Sequence, residues 1–171
     1  MISLIDKTNK DLQKFNWTLN SRARVIGCAP LLCAKYLEYQ LLDPDFKDER
    51  YNTELGIYRE HCGLENVLLS WSGPEYFSFM LKYNSVGIPE EGLAMLRLFP
   101  LRDWYTRNEY RQLTNENDDD LKPFVAEFDR LITKAKKTFT KNFSDQQCER
   151  LWKEFYYPIC QKYRCDGKLQ W

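Results

Sequence analysis

The stretch that decides the fold class is Cys148-Glu-Arg-Leu-Trp-Lys-Glu-Phe-Tyr-Tyr-Pro-Ile-Cys-Gln-Lys-Tyr163. Its apolar residues Cys148, Leu151, Trp152, Phe155, Tyr156, Ile159, Cys160 and Tyr163 recur at steps of three and four. That spacing lines one face of a helix. Ser144 and Gln147 form a capping box just ahead of it. Working outward, Phe124, Phe128, Leu131, Ile132, Ala135 and Phe139 make a second helical stripe, with Pro123 near its first turn. Pro89 opens a helix through Leu93, Leu96 and Leu98, and Pro74 opens one through Phe77, Met80 and Leu81. A further helix is predicted from Leu64 to Ser70. Alternating strand patterns are scarce. The predicted class is all-α.

Two polar, turn-rich stretches interrupt the helices, Asp43 to Thr53 and Thr106 to Asp120. The acidic run from Asn115 to Asp120 within the second is expected to be a solvated loop. Neither stretch has the length of a domain linker. A chain of 171 residues suits one domain over residues 1–171. At that size it buries roughly 70% of its unfolded surface, enough for a core without staples.

Composition narrows the function classes. The 25 basic residues balance 25 acidic ones, which speaks against a dedicated nucleic-acid or anionic-membrane binder. The N-terminus MISLIDKTNK has no apolar segment after a basic start, so it is not a signal peptide. The longest weakly polar run, Val25 to Ala34, falls well short of the ~20 residues of a membrane span. The expectation is a soluble, cytoplasmic protein. Cysteines stand at 28, 33, 62, 148, 160 and 165. Without an export signal they are expected as free, small hydrophobes, and their spacing is wider than a zinc knuckle.

The sequence holds one histidine, His61, which excludes most multi-histidine metal sites. No Gly-rich phosphate loop, G-x-S-x-G elbow, H-E-x-x-H or Glu-x-x-His pair is present. From chemistry alone His61 is a lone ligand, a base or a hydrogen-bonded histidine near a helix start. The aromatic stripes read as core. These residues by themselves describe a soluble α-helical domain with no assembled catalytic site.

The stretch YNTELGIYREHCGLENVLLSWSGPEYF (Tyr51 to Phe77) closely resembles inositol oxygenase, as does KYNSVGIPEEGLAMLRLFPLRDWYT (Lys82 to Thr106). Trp17, Val25 to Cys28, Asp43-Pro44-Asp45, Asp48 to Tyr51 and the end from Tyr156 to Trp171 agree in order and spacing. The resemblance implies a helical, HD-domain-type fold with a non-haem di-iron centre. In that family the centre uses dioxygen to open myo-inositol to D-glucuronate, and four histidines and two aspartates hold the irons.

Matched position by position, the resemblance implies that most of this set is lost. The family's His-Asp pair falls on Ser3 and Leu4, with Asp6 and Lys7 following. The histidine of the H-C-G-L motif is kept as His61. A later ligand histidine falls on Phe99 and its inositol-touching serine on Pro100. The last aspartate ligand falls on Ile132, and a Gly-Asp pair of the substrate site falls on Ser21 and Arg22. Two lysines associated with inositol stand in place, Lys7 and Lys136. The first histidine belongs to an N-terminal part without counterpart here.

The replacements Leu4, Phe99 and Ile132 are apolar. A buried carboxylate without its metal would be costly, and hydrocarbon removes that cost while filling the space. His61, even with the carboxylates of Asp6 and Glu60 available, offers only weak iron binding. The expectation is therefore a truncated, ligand-degenerate homologue that binds no iron. It would act by binding a protein partner or an intact paralogue through an exposed apolar face, or a polyol through Lys7 and Lys136. The alternatives are an enzyme whose ligands another chain completes, and a gene fragment without function.

Overall fold

A computed structural model of the chain describes residues 23–32, 42–138 and 143–171. The all-α class holds: helices dominate, and a two-residue strand pair is the only sheet among the described residues. The helices are α1 (Gly73–Tyr83), α2 (Glu90–Leu98), α3 (Arg102–Arg107), α4 (Glu116–Thr138), α5 (Asp145–Leu151) and α6 (Tyr157–Lys162). No described helix is long and apolar enough to cross a membrane.

Local chemistry explains the helix starts. Ser72 accepts the Glu75 N–H at 3.3 Å, with Pro74 in the first turn of α1. Pro89 precedes α2, whose first turn carries Glu90 and Glu91 against the positive end of the dipole. The Ser144–Gln147 capping box forms as its sequence suggests.

Three expectations need correction. Residues Leu64 to Ser70 are not a helix. Leu64–Asn66 form a single 3-10 turn, and Leu68–Leu69 (β2) pair antiparallel with Val25–Ile26 (β1). Gly63 causes the break, with φ of 87° in the left-handed region, and the distant strand captures the rest. The acidic run is not a solvated loop. Glu116 to Asp120 form the first turns of α4, and Asp118 is buried. Asn115 accepts the Asp118 N–H at 3.1 Å while Asp118 accepts the Asn115 N–H at 3.0 Å, a reciprocal cap. Pro123 consequently lies about two turns inside α4 rather than in its first turn.

The C-terminal stretch is not one continuous α-helix either. Between α5 and α6, Trp152–Tyr156 form a π-helical turn, in which the Tyr157 N–H reaches back to the Trp152 carbonyl. Pro158 has no N–H to offer the Glu154 carbonyl, so the regular ladder is interrupted there.

Two apolar clusters form. The larger centres on Trp104, Leu101, Leu113, Leu64 and Val125, all fully buried, beneath the strand pair. The smaller joins α1 and α2 through Met80, Leu81, Val86 and Leu93, with Cys165 and Leu169 packed on it.

Candidate functional site

Arg97, near the end of α2, ties this scaffold together. Its Nε and Nη2 donate to Glu75 on α1 at 2.8 and 3.1 Å. Its Nη1 and Nη2 also donate to the Leu64 and Val67 carbonyls at 2.9 and 2.7 Å. Both side chains of the ion pair are nearly buried, so the fork satisfies charge and two backbone acceptors at once. The segment carrying His61 is thereby fixed from one side. From the other, the Leu64 N–H donates to the buried Asp118 carboxylate at 2.9 Å. Burial pushes the Asp118 carboxyl above the usual carboxylate range, opposed by the N–H groups of Asn115 and Leu64.

His61 sits in this segment at φ of 55°, an uncommon conformation for a side-chain-bearing residue. Its backbone N–H donates to the Gln112 carbonyl at 2.8 Å, and Nδ1 lies 2.8 Å from the Thr114 carbonyl. A carbonyl only accepts, so Nδ1 carries the proton and Nε2 faces outward, 3.8 Å from Glu60. The imidazole is largely exposed. Next to it, Gly63 lies so close to Asn115 that an added Cβ would stand 2.4 Å from the amide nitrogen.

A cleft of about 650 Å³ opens here, lined by His61, Trp104, Asn108, Arg111, Glu116 and Lys122 among others. Lys122 donates to the Asn108 side chain and lies 5.9 Å from the centre of the Trp104 ring. The buried Trp104 indole N–H has no acceptor among the described residues.

Phe99 and Pro100 stand elsewhere. Phe99 ends α2 and packs edge-to-face on Phe128 of α4, centroids 5.5 Å apart at 84°. Pro100 is buried, and its carbonyl accepts the Ala23 N–H at 3.0 Å. Ile132 is half-buried one turn beyond Phe128, and Lys136 is exposed one turn further on. Beside them lies a cleft of about 620 Å³ between α3 and α4, with Arg102, Tyr105, Asp129 and Arg130 in its wall. Tyr105 donates to the Phe99 carbonyl at 2.7 Å. Desolvation and the neighbouring Asp129 raise its phenol well above the ordinary range.

The structure therefore joins Phe99 to the Ile132 stripe and leaves His61 at the other end of α4. From Glu116 to Ile132 the helix rises about 24 Å, so these positions do not converge on one metal centre. Among the described residues no three His, Cys, Asp or Glu side chains gather as a metal site. The described residues do not fit a di-iron group. Ser3, Leu4, Asp6, Lys7, Ser21 and Arg22 lie outside the described residues, as does Cys33. The other five cysteines are free thiols, as expected. Sequence reasoning missed the Arg97–Glu75 fork and Asp118. No local signal marks the first, whereas the Asn115 to Asp118 spacing could have exposed the second as a helix cap.

The family model described as Myo-inositol oxygenase matches residues 1–171. The chain is 36% identical over 156 residues to the inositol oxygenase of Mus musculus, covering 91% of this chain and 52% of that protein. It is 40% identical over 129 residues to the inositol oxygenase of Danio rerio, covering 75% and 44%. To that of Homo sapiens it is 31% identical over 175 residues, covering 100% and 59%. The chain spans about half the length of the curated relatives it matches.

Proposed function

Because the chain belongs to the inositol oxygenase family, we propose that it is a member that has exchanged oxidation of myo-inositol for binding, a pseudoenzyme of the family's single, HD-type domain. The observation that carries this reading is the Phe99–Phe128 contact. At a position where the resemblance puts an iron-ligating histidine, the chain has a phenyl ring packed on a second ring. Ile132, at the position of a ligand aspartate, lies half-buried on the same helix as Phe128. Hydrocarbon there adds dispersion contacts and removes the desolvation cost of an unpaired carboxylate.

Its binding role falls to the surface. Trp71, Phe79, Tyr83 and Phe124 are more than half exposed, and a run of large apolar residues in the C-terminal helices is about half exposed. Exposed aromatic groups of this density suit a protein partner. Lys136 is exposed and free to meet a polyol, in keeping with the family's substrate class. Free thiols favour a reducing compartment, the cytoplasm.

The test is iron content and turnover on one sample. Purified chain is loaded with ferrous iron without oxygen, desalted, assayed for metal, then given myo-inositol and oxygen. The expected result is substoichiometric iron and no glucuronate. Two irons per chain with glucuronate formed would overturn the reading.

A further inference from the structure

We propose that Cys160 and Cys165 form a modification site, where a low-molecular-weight disulfide reversibly oxidises the two thiols to one intramolecular disulfide that clamps residues 163–170 onto the α1–α2 pair. Neither cysteine lines either cleft.

The two thiols stand where the C-terminal arm ends. That arm runs through α5, the π-helical turn and α6, and α6 closes in a Schellman turn capped at Tyr163. The Cys165 N–H donates to the Cys160 carbonyl at 2.8 Å, and the Arg164 N–H donates to the Gln161 carbonyl at 3.1 Å. Arg164 takes the left-handed conformation between them, with φ of 54°. In this motif the side chains that meet across the turn are those at the positions of Cys160 and Cys165.

The same hydrogen bond bounds their separation. A 2.8 Å contact from N to O, with standard backbone dimensions, leaves the two Cα atoms at most about 6.7 Å apart. Disulfides span about 4.4–6.8 Å between Cα atoms, so the backbone already meets the requirement. Both thiols are free and half-buried. Burial first, and Cys160 after it, push the Cys165 thiol above its ordinary range, which puts each sulfur within electrostatic reach of the other.

This turn also fastens the segment that follows it. The Tyr163 carbonyl accepts the Gly87 N–H at 2.7 Å. Cys165 and Leu169 pack on Met80, Leu81, Val86 and Leu93. Asn84 donates to the Gln170 carbonyl and accepts the Gln170 N–H, each at 2.8 Å. Left-handed backbone disfavours arginine relative to glycine, so the fastening hangs on a strained residue. A crosslink across the turn removes the open conformations that compete with it.

The chemistry is two thiol–disulfide exchanges. One protein thiolate attacks the small disulfide, forming a mixed disulfide and releasing one small thiol. The second protein thiolate attacks the protein sulfur of that mixed disulfide, closing the Cys160–Cys165 bond and releasing the other small thiol. The two cysteines are oxidised, the small disulfide is reduced, and the two protons lost by the protein end on the released thiols.

Equilibrating the full chain in glutathione buffers of graded redox ratio, then alkylating and digesting with trypsin, tests the site. Trypsin cuts after Lys153, Lys162, Arg164 and Lys168, so residues 154–162 stay joined to residues 165–168 only through the disulfide. The linked peptides are expected in oxidising buffer and vanish on return to reducing buffer. The effective thiol concentration should be at least about tenfold higher in the native chain than in concentrated urea, because the turn holds the sulfurs together. Hydrogen exchange at the Gly87 and Gln170 amides should slow about tenfold on oxidation. Cys165→Ser abolishes both effects, whereas Cys148→Ser and Arg164→Gly leave the crosslink in place. Glutathione adducts without linked peptides, linkage of either cysteine to another thiol instead, or equal effective concentrations in native buffer and urea overturn the site. Unchanged exchange at Gly87 and Gln170 in the crosslinked chain overturns the clamp.

Discussion

The region around Arg97 and the C-terminal arm use similar residues in opposite ways. In the first, two charged side chains are nearly buried, and all their partners are in place. In the second, large apolar side chains stand in water on helices held by exposed i,i+4 ion pairs. A buried ion pair whose two oxygens each accept a hydrogen bond rigidifies a core, whereas exposed pairs contribute a few tenths of a kcal/mol each. The difference teaches that helical periodicity specifies which face is apolar and leaves open what covers it.

Breaking the fork should have the largest effect. Arg97→Ala strands the Glu75 carboxylate and two carbonyls in a low-dielectric site, at an expected loss of about 3–5 kcal/mol in denaturant unfolding. A loss below 1 kcal/mol would show that the His61 segment does not depend on it. Next comes Asp118→Ala, which removes the acceptor of the Leu64 and Asn115 N–H groups, an expected loss of about 1–3 kcal/mol.

The pH dependence of Asp118 sharpens the same comparison. Its folded pKa is raised by burial above the ordinary 3.8. Its favourable contribution is therefore fully present below the unfolded pKa and is lost as pH rises through the folded pKa. The stability of the wild type relative to Asp118→Asn should increase on going from pH 7 to pH 3. An unchanged difference would mean the carboxylate is as well solvated as in the unfolded chain.

The smallest effect belongs to the arm. Trp152→Ala should change unfolding stability by about 0.5 kcal/mol or less, because the indole is half exposed already. A loss near that of a core aromatic would show that the arm is covered within its own chain.

Much of the helical scaffold was legible before the fold. Pro74 and Pro89 mark the starts of α1 and α2, and the Ser144–Gln147 box marks the start of α5, because caps and prolines act within one turn. The segment after Gly63 was not legible. Leu68 and Leu69 extend only because Val25 and Ile26, more than forty residues away, offer a ladder. The acidic run misled for a related reason. Asp118 looks solvated among acidic neighbours, and only the Leu64 N–H arriving from the other side makes its burial tolerable. Of the candidate site, the apolar identity of Phe99 and Ile132 was visible, but their separation from His61 was not, since distance along α4 decides it.

What the sequence determined by itself is the helical class, the family and the apolar identity of Phe99 and Ile132. Composition, periodicity and residue identity are properties of short windows and matched segments. The tertiary structure alone decided that His61 is tied to Thr114, that Arg97 is the fork between α1, α2 and the Leu64 turn, and that the decisive C-terminal stripe faces water. Those outcomes depend on contacts between residues far apart in the chain. Such contacts exist only once the backbone has brought them within hydrogen-bond or van der Waals reach.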